Sequence, residues 1–225
     1  LAAVIVASCV VASPAHADAC VDNQRCWAIA KNEVSGSNGF HAAQVEMAPI
    51  CKDIGQPSQH YVNHLLWAIS KTQSATFIEA GIRWGVGTGG IIDGFHFSWT
   101  LGGLFVFVPT GVTPTFGTYY PVSISWVSGS SWNIRVPGHT SGTTNTGMNA
   151  PAQILETGLE TDTANTQGWG ASRMLGYTTR QGVFHDGWDT ATGTDTLIES
   201  PSSTYVDALW ISQHHHLHYK TVPSC

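Results

Sequence analysis

The amino-acid sequence predicts an all-β protein, built as an antiparallel sandwich or barrel of many short strands. Apolar and polar residues alternate with a period of two along several segments, as in strands with one buried face. Glycine-rich and polar turns separate these segments, and the 225 residues include 24 glycines. No convincing long helix is indicated. These observations together favour sheets over helices.

Two neighbouring segments show the alternation most clearly. In residues 76–84 the apolar side chains occupy one face, while Glu79 and Arg83 lie on the other. In residues 95–100 aromatic residues alternate with polar ones, and His96 lies on the polar face. Each segment is predicted to be a strand with one face toward the core.

Weaker signals predict the other strands. The continuous apolar run 101–108 is short enough for a buried strand, and 128–131 is typical of a hairpin turn. Residues 137–149, rich in Gly, Thr, Ser and Asn, are predicted to be a loop. The remaining predicted strands, in chain order, are 39–47 (followed by Pro49), 61–69, 119–127, 132–136, 153–161, 172–179 and 204–212.

The composition excludes several classes of protein. Charged residues make up 11% of the chain, against ~25% in a typical soluble domain, which is too few for the polar faces of a helical bundle. The apolar and aromatic content is too high for a disordered chain. Nine Lys and Arg with a net charge of −6 argue against nucleic-acid binding. No phosphate loop or dinucleotide fingerprint occurs, so no cofactor is expected.

The first residues resemble a secretory signal peptide. Residues 1–11 are apolar except for Ser8, and the small residues around Ala15 and Ala17 suit a cleavage site. The basic start of such a peptide and an initiating Met are missing. The apolar run is shorter than the ~20 residues of a membrane span. We expect residues 1–17 to be a signal peptide truncated at its start, and residues 18–225 to be one secreted domain without a membrane span.

The cysteine pattern predicts disulfides. Four cysteines follow the predicted signal peptide, an even number that suggests two bridges in an oxidising compartment. Three connectivities are open, and a bridge from the C-terminus back to the N-terminal region is favoured. The four residues are Cys20, Cys26, Cys51 and Cys225.

Two predicted strands carry a similar motif with a carboxylate. Residues 77–82 and 154–159 each place a glutamate, Glu79 or Glu156, next to a glycine on the face opposite the apolar stripe, and the second strand adds Glu160. Between residues 76 and 160 only six Asp, Glu, Lys or Arg occur, and four of them lie on these two strands. The few charged residues of this segment are therefore concentrated on these two strands.

Two carboxyl groups facing one groove are the minimum for general acid–base hydrolysis. Crowded like charges raise the pKa of one carboxyl, which stays protonated while the other ionises. The ionised group can deprotonate water, and the protonated group can donate to a carbonyl or leaving group. The neighbouring glycines would leave room for a substrate backbone. The alternative is that glutamates on an outer strand face are merely solvated.

The order of short motifs resembles the neprosin domain, a family of secreted glutamic peptidases. The similarity covers residues 39–170 and includes Ile-Glu-Ala-Gly at 78–81, Phe-Ser-Trp-Thr at 97–100, Ser-Trp-Asn-Ile-Arg at 131–135, and Gly-Leu-Glu at 158–160 before Thr-Gln-Gly at 166–168. The chain departs from the family in lacking a Cys-rich segment and in having Leu159 in place of a glycine. It is also similar to secreted bacterial sandwich proteins without an assigned activity.

The resemblance implies a double-sheet, concanavalin-like or jelly-roll-like sandwich and a hydrolase that cleaves peptides at acidic pH. It implies Glu79 and Glu160 as the catalytic pair, whereas the internal motif pairs Glu79 with Glu156. Arg83, His96 and Arg135 would bind substrate or stabilise an oxyanion.

Two other features keep alternatives open. His214, His216 and His218 would share one face of a strand, where imidazoles bind a divalent metal weakly or simply make a polar edge. Trp169 and Trp188, in predicted Gly-flanked loops, would offer ring faces to sugars. A non-catalytic glycan-binding or purely structural β-sandwich is therefore the alternative function.

Overall fold

The computed structural model of this protein describes residues 25–34, 39–73, 76–87, 89–101, 104–139, 143–149, 151–162, 166–179, 182–188, 194–200, 205–212, 215–222 and 224–225. These residues form two antiparallel sheets packed as a sandwich, and none of them is helical. The predicted fold class is therefore confirmed, as a sandwich rather than a barrel.

The strands follow one another along the chain with short connections. In chain order they are β1 (Cys26–Glu33), β2 (Phe40–Ile54), β3 (Tyr61–Ser70), β4 (Thr76–Gly87), β5 (Gly90–Leu101), β6 (Leu104–Pro109), β7 (Tyr120–Ser128), β8 (Ser131–Arg135), β9 (Thr143–Asn145), β10 (Ile154–Thr161), β11 (Thr166–Thr179), β12 (Phe184–Asp186), β13 (Thr194–Ser200), β14 (Val206–Ser212) and β15 (His216–Thr221).

The two sheets mix strands from distant parts of the chain. Sheet 1 has the order β13-β1-β10-β3-β4-β5-β6, and sheet 2 has the order β14-β15-β11-β2-β7-β8-β9, with β12 paired to β11. Strand β3 therefore lies between β10 and β4, which are far apart in sequence. This neighbourhood brings the two glutamate-bearing strands to either side of one central strand.

Large apolar side chains fill the space between the sheets. On β4, Ile78, Ala80, Ile82 and Trp84 are all buried in this core, as their alternation predicts. Sheet 2 contributes large residues such as Trp132. Removing one such aromatic side chain typically costs ~3–5 kcal/mol, so the inward face of β4 is strongly fixed. The alternate residues of β4 must then lie on the outer face.

The outer face of sheet 1 has a small apolar cluster of its own. Ile29, Leu65 and Trp67 are buried there. Partly buried side chains pack around them, namely Trp27, Ile69, Phe77 and Ile198. Glu79 and Glu160 on this face are buried as well, so the alternative of merely solvated glutamates is wrong for these two residues.

Several strands differ from their prediction. Strand β2 continues through Pro49 because the register shifts opposite it on β11, and a proline is tolerated at such an irregularity. The apolar run predicted to be a buried strand is instead edge strand β6, where Leu104 is 71% exposed. Strand β9 lies in the segment predicted to be a loop, and β1 and β13 were not predicted.

A disulfide ties the end of the chain to sheet 2. Cys51 on β2 is bonded to Cys225 with a Cα–Cα distance of 6.0 Å, so the end of the chain is tied back to the second strand. Cys26 is also disulfide-bonded. Cys20 and the predicted signal peptide, residues 1–17, lie outside the described residues. None of the described residues builds a helix that would be long and apolar enough to cross a bilayer.

Candidate active site

The outer face of sheet 1 carries all three glutamates predicted from the sequence. Residues directly opposite in an antiparallel ladder point to the same face. Glu79 on β4 is opposite Trp67 on β3, and Trp67 is opposite Glu156 on β10. Glu160 lies four residues further along β10, opposite Asn63. Strand β3 therefore forms the floor between the carboxylates of β4 and β10.

Glu79 is buried and surrounded by polar groups. The indole Nε1 of Trp67 donates a hydrogen bond to its Oε2 (2.9 Å), and Nε2 of His96 lies 3.3 Å from its Oε1. Burial acts to raise the pKa of Glu79, but the interactions with His96, Ser98 and Trp67 outweigh burial, so its pKa is lowered. Glu79 is thus held as a carboxylate in a nearly dry site.

His96 supports Glu79 from the neighbouring strand. Its ring is fully buried and stacks on Phe107 with 4.6 Å between centroids. Burial outweighs the hydrogen bond and charge of Glu79, so the pKa of His96 is lowered. Its Nδ1 has no hydrogen-bond partner among the described residues, which leaves Nε2 as the donor to Glu79. The predicted contact of His96 with substrate is wrong, because the ring is covered.

Glu160 is buried as well but in a different environment. Tyr61 donates its hydroxyl to Oε1 (2.9 Å), Asn63 donates Nδ2 to Oε2 (3.2 Å), and Arg25 Nε is 3.2 Å from Oε1. Burial raises the pKa of Glu160, the charge of Glu79 raises it further, and the three donors do not fully offset this. Glu160 therefore keeps its proton to higher pH than an ordinary glutamate.

Arg83 completes the site on the β4 side. Its Nη1 donates to Oδ1 of Asn63 (3.2 Å), which orients the amide so that Nδ2 faces Glu160. Its Nε donates to the carbonyl of Val86 (2.6 Å), and the guanidinium lies 3.8 Å from the Tyr61 ring centroid. Arg83 thus lies on the groove face, as predicted.

Glu156 is held less firmly than Glu160. It is half-buried and makes no hydrogen bond or ion pair with other described residues. Burial raises the pKa of Glu156 to about 7. The charge of Lys31 acts to lower this pKa, and the charge of Glu160 acts to raise it. Two candidates were predicted as the partner of Glu79, and only Glu160 has fixed donors on both oxygens.

The glycines beside the glutamates have a structural reason. A Cβ on Gly81 would lie 2.0 Å from the carbonyl oxygen of His64, and one on Gly158 would lie 2.2 Å from that of Ala28. Gly158 also has a φ of +149°, which disfavours other residues. The close approach of the neighbouring strands therefore requires glycine, in addition to any room left for a substrate.

Arg135 does not join this group. It lies on β8 of sheet 2, where Trp132 and Ile134 point into the core and Arg135 is exposed on the outer face. Strand alternation sets this orientation, and the strand belongs to the opposite side of the sandwich. Its predicted role in the groove is wrong.

The histidine cluster and the two tryptophans also lie away from the glutamates. His216 and His218 share the outer face of β15 with ring centroids 4.9 Å apart, and His214 lies outside the described residues. No group of three or more potential metal ligands converges among the described residues. Trp188 is fully buried and Trp169 lies within β11, so the prediction of a pair of loop platforms is wrong.

Sequence inspection missed the residues that fix Glu160. Tyr61 and Asn63 occupy alternate positions of the predicted strand 61–69, on the same face as Trp67. A tyrosine and an asparagine on the strand face that otherwise carries Leu65, Trp67 and Ile69 were an available signal for a polar site on that face. Arg25 gave no such signal, because nothing in the local sequence pairs it with a residue 135 positions away.

Comparison with solved structures shows which proteins share this fold. Scytalido-glutamic peptidase in complex with a transition-state analogue inhibitor superposes with a TM-score of 0.60 at 10% identity, covering 87% of this chain and 98% of that chain. SCP-B, a member of the eqolisin family of peptidases solved with a tripeptide, gives 0.50 at 11% identity over 86% and 98%. No protein-family model matches the chain, and no curated protein matches it in sequence. The shared feature is therefore the fold.

Proposed function

We propose that this protein is a secreted glutamic-type peptidase in which Glu79 and Glu160 form the acid–base pair. One observation carries the proposal: two buried carboxyl groups lie on one face of sheet 1 and their pKa values are shifted in opposite directions. Such divergence assigns an acid and a base. The sandwich fold and the neprosin-like motifs support the same function.

In the proposed reaction Glu79 is the general base. Its carboxylate accepts a proton from a water molecule, whose oxygen attacks the carbonyl carbon of the peptide bond. His96 and Trp67 hold the carboxylate in place through their N–H groups. Because both donors are buried, the carboxylate is oriented before substrate binds.

Glu160 is the general acid in this scheme. Its raised pKa keeps a proton available for the carbonyl oxygen, which becomes a hydroxyl of the tetrahedral intermediate. As the tetrahedral intermediate collapses, Glu79 donates the proton it took from water to the departing nitrogen, and Glu160 takes a proton back from a hydroxyl of the intermediate, so both carboxyls return to their starting states. Tyr61 and Asn63 keep the Glu160 carboxyl directed toward the groove.

The proposed location outside the cell rests on two features. The disulfide between Cys51 and Cys225 is typical of an oxidising compartment. The apolar segment at residues 1–11 is typical of a secretory signal. Both agree with a peptidase that acts on extracellular peptides.

Peptide hydrolysis by three matched variants tests the function. Purified wild type, Glu79→Gln, Glu160→Gln and the control Glu46→Gln, which changes a carboxylate on sheet 2, are assayed on a mixed peptide library from pH 2.5 to 7.5. We expect losses of roughly 100-fold or more in the first two variants only. A folded wild type without hydrolysis, or site variants as fast as the control, would contradict the proposal.

A further inference from the structure

A small cleft opens beside Glu160 on the same face of sheet 1. Its volume is about 310 Å³, at the lower end of the range of ligand sites, so it suits a single side chain better than a long segment. Three aromatic rings contribute to its walls and one cation lies in it. The lining residues are Tyr61, Arg83, Val86, Gly87, Phe105 and Phe107.

Arg83 is oriented in this cleft but has no carboxylate partner. Among the described residues its hydrogen bonds go to the carbonyl of Val86 and the amide of Asn63, and its ring contact is with Tyr61. No carboxylate oxygen of the described residues lies within ion-pair distance of it. These contacts fix the planar guanidinium and leave Nη2 without a hydrogen bond among the described residues, so it can donate a charge-assisted hydrogen bond to an incoming carboxylate.

The local charge also favours an incoming anion. In the proposed working state Arg25 and Arg83 are cations, whereas Glu79 is the one ionised carboxylate of the pair and Glu160 is neutral. The next carboxylate along the chain, Asp162, accepts from the Tyr61 amide and pairs with the His60 ring. Arg83 is the cation that lines the cleft, and no carboxylate oxygen of the described residues pairs with it there.

We infer that the Arg83 cleft binds a carboxylate of the peptide substrate, carried either by an acidic side chain next to the scissile bond or by the peptide C-terminus. The aromatic walls contact the methylene groups, and the guanidinium pairs with the carboxylate. The inference rests on the proposed function, since it names the substrate of that same site. It makes the enzyme selective for peptides that present a carboxylate to this cleft.

Matched peptides test the inference. Each of three peptides has the same sequence and differs only in carrying an internal Glu with a C-terminal amide, Gln with an amide, or Gln with a free C-terminal acid. At about pH 5.5, where a peptide Glu is mostly ionised, we expect wild type to favour one carboxylate peptide over the Gln amide by roughly 10- to 100-fold in kcat/KM. The carboxylate peptide that is cleaved faster shows whether the cleft binds an acidic side chain or the peptide C-terminus. Equal rates on all three would overturn the inference.

Variants of Arg83 show whether the preference for a carboxylate depends on the cleft or on the general integrity of the site. In Arg83→Gln the preference should fall to nearly one, Arg83→Lys should keep part of it, and the control Arg135→Gln on sheet 2 should keep all of it. A preference retained by folded Arg83→Gln would overturn the inference. If a variant fails to fold, the peptide series on wild type still decides.

Binding distinguishes failure of the inference from failure of the proposed function. Fluorescence anisotropy of the same labelled peptides on Glu79→Gln needs no turnover. A 10-fold or larger preference in Kd for the carboxylate peptide, without hydrolysis by wild type, would support the cleft and contradict the peptidase. Hydrolysis without any preference in rate or Kd would support the peptidase and overturn the cleft.

Discussion

Glu79 and Glu160 project from β4 and β10 to the same face of sheet 1, with strand β3 between them, and their pKa values are shifted in opposite directions. The difference arises from the donors each one meets. Glu79 is stabilised as a carboxylate by His96 and Trp67, whereas burial and the charge of Glu79 dominate at Glu160. Two chemically identical side chains thereby differ in the pH at which they release a proton.

The pH dependence of hydrolysis follows from this difference. As pH falls through the lowered pKa of Glu79 the base is lost, and as pH rises through the raised pKa of Glu160 the acid is lost. We expect a bell-shaped profile of kcat/KM whose plateau includes pH 4.5, the ordinary glutamate value that the two shifts bracket. Initial rates on one peptide across pH 2.5–8 measure it. A rate that rises steadily toward alkaline pH would contradict the assignment.

Glu156→Gln should stabilise the protein at neutral pH. Its pKa of about 7 means that its ionisation destabilises the fold as pH rises from 4.5 toward 7. Removing the charge should therefore stabilise the protein at pH 7, by up to about 3 kcal/mol, and change little at pH 4. Urea unfolding at both pH values measures this.

The activity of Glu156→Gln distinguishes the two candidate partners of Glu79. We expect this variant to hydrolyse peptides at nearly the wild-type rate. Glu156 has no fixed donor among the described residues, in contrast to Glu160. If Glu156→Gln loses activity while Glu160→Gln keeps it, Glu156 is the partner of Glu79 and the assignment of the acid is wrong.

His64 is expected to limit stability in acid. It is fully buried between Trp84 and Tyr219, neither ring nitrogen has a hydrogen-bond partner among the described residues, and burial lowers its pKa to about 3. An unfolded histidine titrates near 6.5. As pH falls from 6.5 toward 3, His64 binds a proton in the unfolded chain but not in the folded protein. The free energy of unfolding therefore decreases over this range.

Replacing this ring tests the point. His64→Leu should raise Tm, and the gain should be larger at pH 4 than at pH 7, by on the order of 3 kcal/mol in the free energy of unfolding. The control His218→Leu changes a half-buried histidine on the outer face of sheet 2 and should show a smaller pH-dependent gain. A gain for His64→Leu that is independent of pH would contradict the account.

The sandwich was predictable where one strand face is strongly apolar. The stripe Ile78, Ala80, Ile82 and Trp84 fixed which side of β4 is inward, and so placed Glu79 outside. Strand β1 escaped prediction because both of its faces are partly or fully buried, with Ile29 on the outer face among buried alanines. Without alternation, a short segment of this kind has no clear period.

Only the site residues that belong to a motif within one strand could be predicted. Glu79 and Glu160 could be found from their motifs, but their donors depend on the order β10-β3-β4. Tyr61 and Asn63 reach Glu160 across 99 and 97 residues of sequence, a non-local pairing that no local pattern encodes. His96 was misjudged for a related reason, since the Phe107 ring that covers it comes from the next strand.

The split of the two carboxyl pKa values is the central claim, and a site-resolved titration tests it most directly. In protein labelled with ¹³C at glutamate Cδ, the carboxyl resonances of Glu79 and Glu160 are assigned by their loss in Glu79→Gln and Glu160→Gln and followed from pH 2.5 to 8. We predict that Glu79 titrates below the ordinary value of 4.5 and Glu160 above it. Two carboxyls that both titrate near 4.5, or in the reverse order, would contradict the account.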